Sequence, residues 1–127
     1  MKRFTFWLES ESVDEELIGQ VMTGVKTATA RPVYSWGVPA HEFDSAKFAA
    51  GDLVEFYDLG WRLRGHLRMT EIYRCSFGDI PERLWRGEAC GDAEDFRAAH
   101  RRGWPHVALA DDTALMALHF ELVSRED

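Results

Sequence analysis

The chain has few lysines and an excess of acidic residues, which argues against one broad class of function. Lys2, Lys26 and Lys47 are its only lysines beside twelve arginines, and the formal net charge is −7. Sequence-independent binding of polyanions depends on cations that release counterions from phosphates. The chain as a whole is therefore unsuited to such binding, although a local basic patch is still compatible with the sequence.

The sequence also lacks the common signatures of metal and redox sites. Cys75 and Cys90 fit neither a zinc-ligand spacing nor a C-x-x-C motif, so we expect free thiols, as in a reducing compartment. The five histidines are scattered, and His41-Glu42 has no second histidine at the spacing of a zinc-protease helix. We therefore expect no metal and no cofactor.

Long apolar runs are missing too. No stretch approaches the roughly 20 residues that a membrane-spanning helix needs. The apolar segment after the basic N-terminus, residues 4–8, is too short for a signal peptide. We expect a cytoplasmic protein with no membrane partner. Nothing in the sequence signals DNA specificity, and its oligomeric state is left open.

The length of 127 residues suits one domain, residues 1–127. Hydrophobic alternation predicts strands, and caps and helical periodicity predict helices. The predicted strands are 2–8, 27–31, 53–57, 61–70 and 115–123. The predicted helices run from a Ser12 capping box to Gly24, from 82 to 87 after Pro81, and from 93 to 102 after Asp92. This order indicates an α+β domain around a small barrel or curled sheet.

Two segments suggest ligand contacts. The irregular stretch 32–51 contains Tyr34 and Trp36, whose rings are suited to stacking on a flat ligand. The alternative is that these rings only close one end of the hydrophobic core. On the predicted strand 61–70, the residues Arg62, Arg64 and Arg68 share one face. These arginines could contact the phosphates of an RNA backbone. The alternative is that they lie on an exposed face of the sheet and pair with carboxylates of the chain.

The stretch "GVKTATAR", residues 24–31, combines a lysine with threonines at a helix-to-strand turn. A desolvated lysine can act as a base, and a neighbouring threonine hydroxyl can attack an acyl carbon. On a regular strand Lys26 and Thr29 point to opposite faces. They meet only if the turn extends through Lys26 or the strand twists strongly. The alternative is a solvated lysine followed by ordinary strand threonines.

A second polar segment lies between the two later helices. Glu88 sits in a glycine-flanked loop, where a carboxylate can act as an acid or a base. Asp92 is placed to cap the next helix. Arg97, His100 and Arg101 follow on one face of that helix.

Taken in order, these motifs resemble the ASCH domain family of the PUA-like superfamily. The family's elements are G-x-K-T-x-T at the end of a helix, Gly-Asp before a strand, E-x-x-G-D in a loop, and F-R-x-x-H on a helix. They correspond to residues 24–29, 51–52, 88–92 and 96–100. The resemblance covers nearly the whole chain and implies a PUA-like small mixed β-barrel with flanking helices.

The resemblance also implies a nucleoside or RNA as ligand. Some small members are similar to amidohydrolases that deacetylate N4-acetylcytidine with a lysine, a threonine and a glutamate. This set corresponds to Lys26 as base, Thr29 as nucleophile and Glu88 as proton carrier to the leaving amine. Other members have been assigned RNA binding or ribonuclease activity, and a regulatory ligand-binding domain is a third possibility.

The sequence departs from the family pattern in the acidic loop. That loop commonly reads E-G-E-G-D, whereas Cys90 occupies the second glutamate position here, and the spacing to the F-R-x-x-H segment is shorter. Asp92 is therefore the alternative to Glu88 as the working carboxylate. The resemblance further implies substrate contacts. They are assigned to Arg31, Tyr34, Trp36, Asp92, Arg97 and His100.

Overall fold

The computed structural model describes residues 1–5, 14–33, 48–105 and 107–126. Within these ranges, the chain forms five strands and three helices in a mixed order. They are β1 (Lys2–Phe4), α1 (Asp14–Met22), β2 (Ala28–Pro32), β3 (Leu53–Tyr57), β4 (Leu63–Ser76), α2 (Glu82–Gly87), α3 (Ala93–Gly103) and β5 (Ala114–Arg125).

The strands form one sheet in the order β1-β3-β4-β5-β2. β1 runs parallel to β3, and every other neighbouring pair is antiparallel. β4 and β5 are the longest strands and pair from Gly65 to Ser76. The α+β class predicted from the sequence is confirmed.

Buried side chains pack on both faces of the sheet because β5 alternates between them. Leu118 and Phe120 belong to one core cluster, with α1, while Leu115 and Ala117 belong to a second cluster, with α2 and α3. Ala28 of β2 joins the second cluster. α2 and α3 thus cover the opposite face of the sheet from α1.

Two predicted strands differ from those in the structure. β4 begins at Leu63, so the predicted start at Trp61 is wrong and Arg62 lies in the β3–β4 connection. The reason is Asp58, whose carbonyl accepts the Trp61 amide (3.0 Å) and whose carboxylate accepts the Arg62 amide (2.9 Å). β1 ends at Phe4, and residues 6–8 of the predicted strand lie outside the described ranges.

The predicted end of the strand 61–70 is also wrong, because β4 passes a register shift between Met69 and Glu71, a bulge, and continues to Ser76. Other predictions from local sequence signals are confirmed. α2 follows Pro81 and ends at Gly87, as predicted. Asp92 caps α3 by accepting the Asp95 amide at 2.7 Å. The predicted Ser12 cap of α1 lies outside the described residues.

Close backbone contacts attach α2 to the start of β2. The Thr27 amide donates to the Gly87 carbonyl at 2.7 Å, and the Thr27 carbonyl accepts the Phe120 amide at 2.9 Å. A Cβ atom at Gly87 would lie only 2.6 Å from the Cβ of Ala28. The end of α2 is thereby placed directly beside the turn that enters β2.

Candidate functional site

The turn between α1 and β2 determines where Lys26 lies. Gly24 ends α1 with a φ of +79°, a left-handed conformation that favours glycine. The Lys26 amide then donates back to the Gln20 carbonyl at 3.0 Å, and β2 begins only at Ala28. The turn therefore extends through Lys26, which frees its side chain from the alternation of the strand.

The connection between α2 and α3 determines where Glu88 lies. The Glu88 amide completes α2 by donating to the Leu84 carbonyl at 3.0 Å. Ala89 takes a φ of +61°, and the Cys90 amide reaches back to the Trp85 carbonyl at 2.9 Å. These bonds reverse the chain directly after Glu88, at the end of α2 that adjoins β2.

His100 is fixed on α3 between two aromatic rings. Its ring stacks on Phe96 with centroids 3.9 Å apart and meets the edge of Trp104 at 4.7 Å. Its Nδ1 lies 2.7 Å from the Phe96 carbonyl oxygen. These contacts determine the ring plane and direct Nε2 away from the helix backbone.

The three side chains meet in what we call the buried charge cluster: Lys26, Glu88 and His100. Lys26 Nζ donates to Glu88 Oε1 at 2.8 Å, and His100 Nε2 lies 3.2 Å from Glu88 Oε2. Only 3% of the Lys26 side chain, 6% of that of Glu88 and 11% of that of His100 are exposed. Both oxygens of one carboxylate therefore face nitrogen atoms in a site with little access to water.

The cluster keeps Glu88 ionised. Burial raises the pKa of this carboxyl, but the charges of Lys26 and His100 and their hydrogen bonds outweigh burial and lower the pKa to about 2. Glu88 is thus a carboxylate at neutral pH. His100 Nε2 lies within ion-pair distance of Glu88 Oε2, but by strict geometry that oxygen has no hydrogen-bond donor among the described residues.

Both cysteines lie within electrostatic reach of the same carboxylate. The pKa of Cys75 and that of Cys90 are both raised to about 11, mainly by burial and secondly by the negative charge of Glu88. Because the thiolate is the nucleophilic form, neither sulfur is suited to attack a substrate at neutral pH. Both thiols are free, as the sequence predicted.

Thr29 is the candidate nucleophile nearest to Lys26 in sequence. It is buried in β2 opposite Leu118 of β5, on the face that turns away from Ala28 and α2. Its assignment as the attacking hydroxyl stays a prediction.

Arg31 shares this face of β2 and contacts the other edge of the sheet. Its Nη2 donates to the Thr5 carbonyl at 3.0 Å, and its guanidinium lies 5.0 Å from the centre of the Phe4 ring. Arg31 thus connects β2 to the end of β1. The substrate contact assigned to it stays a prediction.

Asp92 and Arg97 have partners other than the buried charge cluster. Asp92 is exposed and uses its carboxylate as the cap of α3. Arg97 pairs with Glu94 on the same helix. Of the two carboxylates left open by the sequence, Glu88 is the one that contacts Lys26, while the substrate contacts predicted for Asp92 and Arg97 stay predictions.

The arginines proposed to contact RNA have carboxylate or carbonyl partners. Arg64 pairs with Glu15 and with Asp58, and Arg62 lies 3.3 Å from Asp58. Arg68 donates to the Gly51 carbonyl at 3.1 Å. A phosphate would have to compete with these partners, and RNA contact by the three arginines stays a prediction.

Tyr34 and Trp36, proposed to stack on a base, lie outside the described residues. Within the described ranges, no three histidine, cysteine or acidic side chains are arranged to hold a metal ion. None of the helices in the described part of the chain is long and apolar enough to cross a membrane.

The contact between His100 and Glu88 was missed at the level of sequence, where His100 was assigned to the substrate. The available signal was the four-residue spacing of Phe96, His100 and Trp104, which places three rings along one face of a helix. That stack turns the imidazole toward the end of α2.

The described fold is similar to solved structures of ASCH domains. An ASCH domain from Lactobacillus crispatus matches with a TM-score of 0.73 at 18% identity, over 97% of this chain and 81% of that one. A protein from Enterococcus faecalis, of the family designated DUF984, matches with a TM-score of 0.74 at 18% identity, over 98% and 78% of the two chains. An ASCH protein from Zymomonas mobilis matches with a TM-score of 0.54 at 12% identity, over 97% and 71%.

No protein-family model and no curated protein matches the sequence. Identities this low establish a common fold and nothing finer. The α+β fold with flanking helices, expected from the motifs, is confirmed, and its likeness to solved ASCH domains agrees with the resemblance of the motifs.

Proposed function

The chain has the fold of ASCH domains, and on that premise we propose that it is a cytoplasmic amidohydrolase acting on N4-acylated cytidine-type nucleosides. The observation that carries the proposal is the buried ion pair between Lys26 and Glu88, at 2.8 Å. Thr29 supplies the nucleophilic hydroxyl. The negative net charge of the chain favours a small nucleoside over a polymer.

A buried ion pair contributes little net stability to a fold compared with apolar residues of similar volume. Taking two charges out of water costs several kcal/mol each, and well-packed apolar residues often stabilise the same site equally well. Ionisable groups with strongly altered pKa values cluster at functional sites, because catalysis needs pKa values matched to its task. The lowered pKa of Glu88 supports its assignment to such a site.

The first half of the reaction forms an acyl-enzyme. Thr29 Oγ attacks the acyl carbon, and the C–N bond breaks as the cytosine amino group leaves. The hydroxyl proton passes to Lys26 Nζ while Lys26 gives a proton to Glu88 Oε1, which delivers it to the leaving nitrogen. Lys26 and Glu88 each gain one proton and lose one, so the ion pair keeps its charges.

The second half restores the enzyme with water. Water attacks the acyl carbon of the Thr29 ester, the ester C–O bond breaks, and a proton from the water returns to Thr29 Oγ. The products are cytidine and a carboxylic acid, and the water consumed balances the reaction.

Deacylation of N4-acetylcytidine, followed by chromatography of the released cytidine, tests this proposal. We expect release by the wild-type protein, and a rate at least about a hundredfold lower for Lys26→Ala, as for the loss of a proton-transferring group. Lys2→Ala is the matched control, because Lys2 forms an equally short but surface-exposed pair with Asp52 (2.7 Å). A folded Lys26→Ala protein that releases cytidine at the wild-type rate contradicts the proposal.

The second candidate is an RNA-binding module or ribonuclease. The exposed guanidinium groups of Arg62 and Arg68 favour it. It predicts binding of labelled single-stranded RNA that weakens steeply with salt, or cleavage of that RNA. No binding at low salt excludes it, and binding of cytidine without any turnover indicates a regulatory ligand-binding domain instead.

A further inference from the structure

We infer that Glu88 Oε2 accepts a hydrogen bond from the ligand, from an N–H at the exocyclic nitrogen of a cytosine-type base, while Oε1 stays with Lys26. The identity of the ligand rests on the proposed amidohydrolase function. The inference deepens that function by naming the atom that selects a nitrogen carrying hydrogen.

The Glu88 carboxylate has a donor for only one of its oxygens. Lys26 Nζ donates to Oε1 at 2.8 Å. Oε2 is buried and has no hydrogen-bond partner in the part of the chain that the structure describes. Buried polar atoms of native proteins are nearly always hydrogen-bonded, and an ionised carboxylate accepts on both oxygens. A ligand that brings an N–H supplies the missing donor.

The side chain beside Oε2 does not supply that donor. His100 Nε2 lies 3.2 Å from Oε2, but the contact does not meet hydrogen-bond geometry. The ring is held in this direction, because Nδ1 lies 2.7 Å from the Phe96 carbonyl oxygen and the ring packs between Phe96 and Trp104. His100 thus forms a wall beside Oε2 and leaves the lone pairs of that oxygen to another group.

The charge of Glu88 determines which ligand atoms fit. Burial raises the pKa of this carboxyl, but above all the charge of Lys26 lowers the pKa to about 2, so Oε2 only accepts at neutral pH. A carbonyl oxygen of a ligand would turn its lone pairs toward those of Oε2. Cytosine carries an amino nitrogen where uracil carries a carbonyl oxygen, and an N4-acylcytosine keeps one N–H. Oε2 therefore favours cytosine-type over uracil-type bases.

Access to Oε2 requires a shift of the connection after α2, because the atom has almost no exposed surface. The residue next to Glu88, Ala89, has a φ of +61°, a left-handed conformation that favours glycine. Strained residues of this kind cluster at functional sites. A shift that relaxes Ala89 also moves Glu88 and opens the carboxylate to the ligand. A nitrogen held by Oε2 then lies next to Oε1, which delivers the proton to it in the proposed reaction.

The binding test compares three nucleosides that carry no acyl group, by calorimetry with the wild-type protein: cytidine, N4,N4-dimethylcytidine and uridine. The dimethyl compound lacks the N–H, and uridine presents an acceptor instead. Losing one hydrogen bond to a charged group weakens binding roughly 10- to 100-fold, so we expect both analogues to bind at least about tenfold more weakly than cytidine. Equal binding of the three nucleosides overturns the inference, and so does a failure of cytidine to bind.

The variant test uses Glu88→Gln, whose side-chain amide can donate as well as accept. We expect its preference for cytidine over uridine to shrink by about tenfold, while the control Glu82→Gln, in an exposed pair with Arg86 at 3.1 Å, keeps the wild-type preference. An undiminished preference in Glu88→Gln refutes the inference, and the nucleoside comparison decides even if this variant does not fold. If the wild-type protein binds cytidine selectively but releases none from N4-acetylcytidine, the proposed function fails and the inference stands.

Discussion

Replacing Glu88 by glutamine removes the negative charge of the buried charge cluster with little change in shape. Lys26 then stays buried without its counter-ion. Removing one partner of a buried ion pair is strongly destabilising, because it leaves a charge that neither water nor protein neutralises. We therefore expect Glu88→Gln to lose stability even though glutamine can form hydrogen bonds.

The lowered pKa of Glu88 gives the magnitude. Its ordinary value of 4.5 falls to about 2 in the folded protein, which corresponds to about 3 kcal/mol of stability at neutral pH. Because the unfolded chain binds the proton more tightly, this contribution is complete above pH 4.5 and is lost as the pH falls toward 2. For a chain of this size, about 3 kcal/mol lowers Tm by roughly 10 °C.

Urea unfolding followed by tryptophan fluorescence measures the effect, at pH 7 and at steps down to pH 2.5. We expect the wild-type protein to lose stability through this range and Glu88→Gln to lose less of it. Glu82→Gln is the matched control, because Glu82 forms an exposed pair with Arg86 at 3.1 Å and should change stability by under about 1 kcal/mol. Equal losses in the two variants at pH 7 would refute the reasoning.

Two further substitutions test the packing of α2 on β2 and the strength of an exposed ion pair. Gly87→Ala should lower the free energy of unfolding in urea by roughly 1–3 kcal/mol and slow deacylation. The added Cβ would lie 2.6 Å from the Cβ of Ala28 and force α2 away from β2. The control is Gly19→Ala, whose added Cβ meets nothing within 4 Å and should leave stability unchanged or raise it. Glu15→Ala should cost only about 1 kcal/mol or less in the same assay, because Glu15 is an exposed partner of Arg64, and a loss of several kcal/mol would contradict this.

Local signals in the sequence were enough for many of the element boundaries. Pro81 and Asp92 act through their own backbone and side chain, so they predicted the starts of α2 and α3. Gly24 likewise predicted the end of α1 by its left-handed conformation. Such signals depend on a few neighbouring residues, which is why they can be interpreted from one sequence.

The start of β4 was misplaced because alternation alone does not show where a turn ends. Trp61 continues the apolar pattern of the strand, yet Asp58 holds residues 61 and 62 in the turn through hydrogen bonds. A hairpin connection of three residues (58–60) or of five (58–62) fits the same pattern, and the side-chain bond of Asp58 decides between them.

The contacts within the buried charge cluster could not be predicted from patterns in the sequence. Lys26 and Glu88 lie 62 residues apart in sequence, and their contact depends on the backbone bond between Thr27 and Gly87 that attaches α2 to β2. The sequence assigned Glu88 as the working carboxylate with Asp92 as its alternative, because a helix cap and a buried acid cannot be told apart from sequence alone. In the structure Glu88 is buried against Lys26, while Asp92 is exposed and caps α3.

The central claim is that the Lys26–Glu88 pair serves the proposed deacylation and not the stability of the fold alone. Its most direct test is the rate of cytidine release from N4-acetylcytidine by the wild-type protein and by the double variant Lys26→Met, Glu88→Leu, whose apolar pair is expected to keep the protein folded. The account predicts turnover by the wild-type protein and none by the folded double variant. Equal turnover by both proteins, or none by the wild-type protein, would contradict it.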